Sequence, residues 1–275
     1  MIKWHRAFGL VLTDFFTGSN YKVEMEKELS AKQQFLDIVI IKKSEGKPID
    51  DLPDGLEYLA DHNVLTYKSL HQPMDNWAIE EVIGHYANYR KQESPFEDDL
   101  LPAADFQVYA VSTRYPQKLL GSKKHWGSDT KEIQAGVYQV SCKIIRPIII
   151  LVLNQMPQHE KNALWQLFSG NAEGFGFGDA HYQWHEPRAK SLLNQLYELY
   201  QKEGVVMPYT WDNFYQDYTR PLIDSLPIEE RLRGIPPQEA LKQFSVEERL
   251  KGIPPEEWLK KIPPEVLKKY LSTLS

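Results

Sequence analysis

From Pro227 to Leu271 the chain repeats itself every nine residues: PIEERLRGI, PPQEALKQF, SVEERLKGI, PPEEWLKKI and PPEVLKKYL. The sixth position is leucine in four of the five units (Leu232, Leu241, Leu250, Leu259), and the ninth is always apolar (Ile235, Phe244, Ile253, Ile262, Leu271). Proline or serine opens each unit, glutamate or glutamine follows, and lysine or arginine closes it. A helix favours this order, with a rigid or capping residue first, acids in the first turn and bases in the last. Nine residues allow about two turns, and helices that short are marginal alone. The units therefore have to stack on one another or on a partner. The tail reads as a spacer or a docking segment without chemistry of its own, so a catalytic or ligand-binding part has to lie upstream.

Upstream, helical and extended patterns alternate. Trp4, Phe8, Val11, Leu12 and Phe15 recur at helical spacing, and Gly18-Ser19-Asn20 stops the segment. Residues 21–27 alternate, with Val23 and Met25 on one face and Glu24 and Glu26 on the other. Residues 34–43 are rich in β-branched side chains and read as a buried strand whose only acid is Asp37. Past a loop at Pro48, Pro53, Asp54 and Gly55, a strand is expected over 63–70. A helix is expected over 77–90, where Ile79, Val82, Ile83, Tyr86 and Arg90 share a period. Strands follow at 106–113 and 137–153, the second bent at Pro147. Helices are expected at 158–168, 187–202 and 211–222, with a glycine- and aromatic-rich loop from Gly174 to Trp184 between the first two. This order describes an α/β protein, a mixed sheet flanked by helices. It divides into an α/β core (1–156), a helical extension (157–226) and the repeat tail (227–275).

Composition excludes several classes. The one cysteine, Cys142, allows no internal disulfide and no thiolate zinc cluster, which suits a reducing, cytoplasmic setting. The apolar run at residues 7–12 is too short for a signal peptide. The run at 144–153 is broken by Arg146 and Pro147 and is about half the ~20 residues of a membrane helix. The formal charge of -6 is local, because residues 51–110 hold 12 acids against 3 bases and the remainder is nearly balanced. An acidic total is therefore compatible with a basic groove elsewhere.

Two groups of residues point to chemistry. Asp37 sits in an apolar strand, where a carboxylate is costly unless it binds a cation or finds donors. Thr66 and Lys68 share a face of the next strand, and Glu24 and Glu26 lie on the strand before. Carboxylates on adjacent strands beside a lysine suit a divalent ion that activates water at a phosphodiester, with the ammonium stabilising the developing charge. Exposed edge carboxylates and a snorkelling lysine account for the same spacing. The second group is Arg114, Lys118, Lys123, Lys124, His125 and Lys131, interleaved with Tyr115 and Trp126, a mixture that suits phosphates and stacked bases. His181 and His185 read as polar loop residues and G-F-G-F-G at 174–178 as packing. No Gly-x-Ser-x-Gly elbow occurs, and Cys142 lies in an expected strand.

The strand pair around Asp37, the TYKS strand at Thr66–Ser69, and the phrases VEMEKELSAKQQFLDIVI, NVLTYKS, WAIEEVIGHYANYRK, VYAVSTRYPQKLL and LNQMPQHEKNALWQLFS together resemble the PD-(D/E)XK nuclease superfamily. Within it they are most similar to the recombination-promoting nuclease/transposase family and its bacterial relatives with an EERLxG repeat tail. The resemblance implies a restriction-endonuclease-like sheet, a Mg2+- or Mn2+-dependent DNA endonuclease, Asp37 as a metal-binding acid, and Lys68 as the motif lysine. Thr66 stands where that motif has its acid. Glu24, Glu26 or Asp14 would then supply the missing carboxylate, and the helix after Lys68, with Glu80, Glu81, His85, Tyr86 and Tyr89, would pack beside the site. The expected partners are DNA, a protein docked on 227–275, and a second copy of the chain. Because threonine is a poor magnesium ligand, two other functions stay open: a nuclease-fold scaffold without catalysis, and a nucleic-acid-binding module without chemistry.

Overall fold

Strands from the first 152 residues pair into one sheet in a computed structural model, which describes residues 3–25, 38–96, 98–121, 130–142, 145–186, 189–206 and 215–274. The elements run α1 (Trp4–Phe15), β1 (Tyr21–Met25), β2 (Ile38–Lys43), β3 (His62–Lys68), α2 (Asn76–Glu93), β4 (Phe106–Ser112), α3 (Gln117–Leu120), β5 (Thr130–Gln134), β6 (Val137–Val140), β7 (Ile148–Val152), α4 (Ala163–Gln166), α5 (Ala172–His181) and α6 (Leu192–Lys202). The strand order is β1-β2-β3-β4-β7-β6-β5. The central strands β3, β4 and β7 are parallel, and the outer pairings are antiparallel. The parallel strands are buried on both faces, so they read as near-continuous apolar runs.

Alternation along β3 distributes its side chains between two helical layers. Val64 joins Ile38, Ile40, Ala110 and the α2 residues Ala78, Ile79, Val82, Tyr86 and Tyr89 in one core. Tyr67 points to the other face, where Phe8 of α1 stacks on it at 4.4 Å between ring centroids, and Phe168 and Trp165 close around Phe8. Trp4 meets Tyr200 of α6 edge-on at 4.9 Å, so α1 and the helical extension cover the same face. α2 is capped by Asp75, whose carboxylate accepts the Ala78 N–H at 3.1 Å.

Three local expectations need correction. Residues 137–153 are two antiparallel strands, β6 and β7, with Val140 opposite Ile148, and not one bent strand. Pro147 ends the connecting loop, its carbonyl accepting a hydrogen bond from Gln107 Nε2 at 2.7 Å. β5 escapes sequence reading because TKEIQ is an edge strand with no apolar face. The stretch from Gly174 begins as helix: α5 starts at Ala172, capped by the Asn171 side chain on the Gly174 N–H at 2.8 Å. A Cβ on Gly178 would stand 2.7 Å from the Leu167 nitrogen, so glycine is what lets α5 lie against the segment after α4. Residues 158–168 form a 3-10 turn at Glu160–Asn162 followed by the short α4.

The chain divides into two compact units, Met1–Phe214 and Tyr215–Ser275. In the second, helices begin every nine residues, at Ile228, Pro237, Val246, Pro255 and Pro264. In the first and third repeats the helix ends in a turn with Arg233 or Lys251 near φ -60°, ψ 123° and Gly234 or Gly252 at φ 82° and 87°, the geometry of a type II turn that calls for glycine. The second repeat, with Gln243 at that place, keeps Lys242 helical and needs no glycine.

Candidate functional site

The parallel strands β3, β4 and β7 bring their carboxyl ends to one edge, where open α/β sheets place ligands. Lys68 and Ser112 are register partners there. The loops that follow are tied together: the Thr113 N–H donates to the Lys68 carbonyl at 3.1 Å, and the Asn154 N–H donates to the Thr113 carbonyl at 3.0 Å. A cleft of about 330 Å³ opens between the loop after β3 (Gln72, Pro73, Met74) and the segment from Ser112 to Lys118. The buried Ser112 hydroxyl donates to the Arg114 carbonyl at 2.8 Å and fixes the start of that segment. Tyr115 is held edge-on to Tyr138 at 5.7 Å.

Of the basic residues expected to bind nucleic acid, Arg114 and Lys118 line this cleft, exposed and without an ion pair among the described residues. Lys123, Lys124, His125 and Trp126 lie outside the described residues. Lys131 belongs to β5, three strands away from β4, so the patch is not continuous.

Lys68 stands at the inner end of the same edge. Its side chain is 15% exposed, and its ammonium lies 3.7 Å from the Glu81 carboxylate of α2. Thr66 shares the face of Lys68, is buried, and pairs with Ile38, the residue that follows Asp37. Asp37 and Glu26 themselves lie outside the described residues. Glu24 is opposite Ile40, which is opposite Val64, so it points to the α2 face two strands across and four residues back from Lys68. Asp14 supplies no carboxylate here. It is buried in the last turn of α1, on the opposite face, accepting from the Tyr182 hydroxyl at 3.0 Å and from the N–H groups of His185 and Glu186 at 3.2 and 2.9 Å. Burial and this carboxylate push the Tyr182 hydroxyl well above its ordinary range.

Among the described residues, the carboxylate that the fold brings to Lys68 is Glu81. In the sequence it is only one of several polar residues of α2, and a helical period cannot show which of them meets β3 across space. Tyr86 and Tyr89 are buried in the core against Phe106. Among the described residues no group of three or more His, Cys, Asp or Glu side chains assembles to hold a metal. His181 ends α5 with its Nδ1 on the Phe177 carbonyl at 2.9 Å, whereas His185 lies beyond the helix, so the two are not helix-paired ligands.

Comparison with known proteins finds no matching family model, curated protein or solved structure. Among the described residues, no helix is long and apolar enough to cross a membrane.

Proposed function

We propose that this chain is a cytoplasmic, metal-dependent DNA endonuclease of the recombination- and transposase-associated type, with the PD-(D/E)XK arrangement of its catalytic strand. The supporting observation is placement: Lys68 ends β3 as the register partner of Ser112, and Ser112, Arg114 and Lys118 line one cleft at the carboxyl edge of β3 and β4. Arg114 and Lys118 would hold backbone phosphates, which both lends affinity and fixes register. The Lys68 ammonium, fixed by a partly buried stem and by Glu81, would stabilise the charge that grows on the phosphoryl oxygens during attack. Glu81 takes up the place beside Lys68 where Thr66 has no charge. Magnesium or manganese, when bound, supplies a water ionised near neutral pH, and Asp37 with Glu26 or Glu81 would hold it, Glu24 lying too far back along the sheet to share it.

The test is nicking of supercoiled plasmid in Mg2+ or Mn2+. Wild-type protein should cleave, and Asp37→Ala and Lys68→Ala should not. Equal background nicking by all three proteins would overturn the proposal.

One observation favours a second function, a nuclease-fold scaffold without catalysis. Thr66 is buried and neutral at the motif position. Absence of cleavage in either metal, together with a protein partner that is lost on deleting 227–275, would select it.

A further inference from the structure

The repeat unit leaves its apolar row uncovered. No described residue of Tyr215–Ser275 is buried; Leu250 and Ile262 are partly covered, and Leu232, Ile235, Leu241, Phe244, Ile253 and Leu259 remain between 40% and 51% exposed. Helices of five residues cannot persist on capping alone. An exposed apolar row that extends over five repeats is also far larger than scattered surface hydrophobics. Something has to cover it, and the charges identify what.

Tyr215–Ser275 carries ten acids and ten bases. They are banded, since each repeat places its acids first and its bases second, as in Glu229-Glu230 before Arg231 and Arg233 or Glu256-Glu257 before Lys260 and Lys261. A uniformly charged surface, whether nucleic acid or anionic lipid, would attract one band and repel the next. A surface with the same bands and the same apolar spacing matches throughout when shifted by half a repeat. That surface is the tail itself. A parallel shifted pairing leaves unpaired ends and continues into a filament, whereas an antiparallel pairing closes around a two-fold axis. The ion pairs within repeats, such as Lys242–Glu239 at 2.7 Å, lie on exposed helix faces where such pairs are weak and can be exchanged.

We infer that the nine-residue repeats are a homodimerisation element, in which the tail of one copy covers the antiparallel tail of a second. This does not depend on the catalytic proposal. The experiment is the mass of the full-length chain in solution by light scattering and sedimentation. Wild-type protein should have twice the 32.0 kDa chain mass. Leu232→Asp/Leu241→Asp should be monomeric, with unfolding of the sheet unit unchanged. Two charge variants of the central repeat, which faces its own copy across the two-fold axis, sharpen the test: Glu247→Lys/Glu248→Lys and Arg249→Glu/Lys251→Glu. Each alone should be monomeric, and an equimolar mixture should recover the double mass. A wild-type chain that stays monomeric to about 100 μM would overturn the inference, whether or not it binds anionic vesicles or DNA. A dimer indifferent to Leu232→Asp/Leu241→Asp, or a mixture that stays monomeric, would overturn it too.

Discussion

Phe8 in the sheet unit is fully buried against Tyr67, Trp165 and Phe168, whereas Leu232, the recurring apolar residue of a repeat, is half exposed. The partners of Phe8 lie about sixty to one hundred and sixty residues away in the chain. The bonds that shape a repeat span three or four residues, as in the capping box in which Ser245 Oγ accepts the Glu248 N–H at 3.2 Å and Glu248 Oε2 accepts the Ser245 N–H at 2.8 Å. The sheet unit is therefore stabilised by packing that any single member can disrupt. The repeats have local order and, among the described residues, no buried core.

Substitutions should separate the two regimes. Phe8→Ala removes a buried aromatic from the centre of the α1 layer and should cost about 3–5 kcal/mol in urea unfolding. Leu241→Ala in the tail should leave the same transition within about 0.5 kcal/mol. A midpoint shift of similar size in both would erase the contrast. Asp14→Ala leaves the Tyr182 hydroxyl only the Val11 carbonyl at 3.4 Å and removes the acceptor of two N–H groups, and about 1–3 kcal/mol of stability should be lost. Gly234→Ala forces a side chain into φ 82° with nothing nearby to clash, so its cost of about 1–2 kcal/mol is purely backbone. It should appear as faster amide exchange in the first repeats and leave the sheet unit untouched.

The smallest effect is a pH dependence confined to the sheet unit. His62 stacks on Phe106, and its Nδ1 lies 3.0 Å from the Tyr89 hydroxyl. Burial, aided by Lys42, lowers its pKa below the ordinary 6.5. The unfolded chain then binds more protons as pH drops, so this contribution to stability is complete above about 6.5 and declines as pH falls from there toward the folded value. His62→Gln should flatten the slope of unfolding midpoint against pH in that window. An unchanged slope would assign it to other groups.

Helical periods in α1 and α2, the apolar runs of β2, β3 and β4, and the nine-residue repeat were all legible, because each signal is carried by neighbours in sequence. The edge strand β5 was not, since TKEIQ has no buried face to pattern. α5 is not legible because its glycines look like breakers, whereas Gly174 and Gly178 serve close packing against the segment after α4. In the candidate site, Lys68, Arg114 and Lys118 could be selected by residue type, but their placement at one edge of the sheet depends on the parallel pairing of β3 with β4. The approach of Glu81 to Lys68 depends on where α2 crosses the sheet. Those are long-range consequences of topology, to which spacing along one strand or helix is blind.

The shared edge of β3 and β4 is tested most directly by steady-state cleavage of supercoiled plasmid in Mg2+. Wild type would be compared with Lys68→Ala and Arg114→Ala/Lys118→Ala, and DNA affinity measured against salt for each. Lys68→Ala should lose about 100-fold or more in kcat while retaining affinity. The double variant should bind more weakly and lose about two units of the salt slope, because two phosphate contacts are gone. Cleavage and affinity identical in all three proteins would contradict the assignment of this edge as the phosphodiester site.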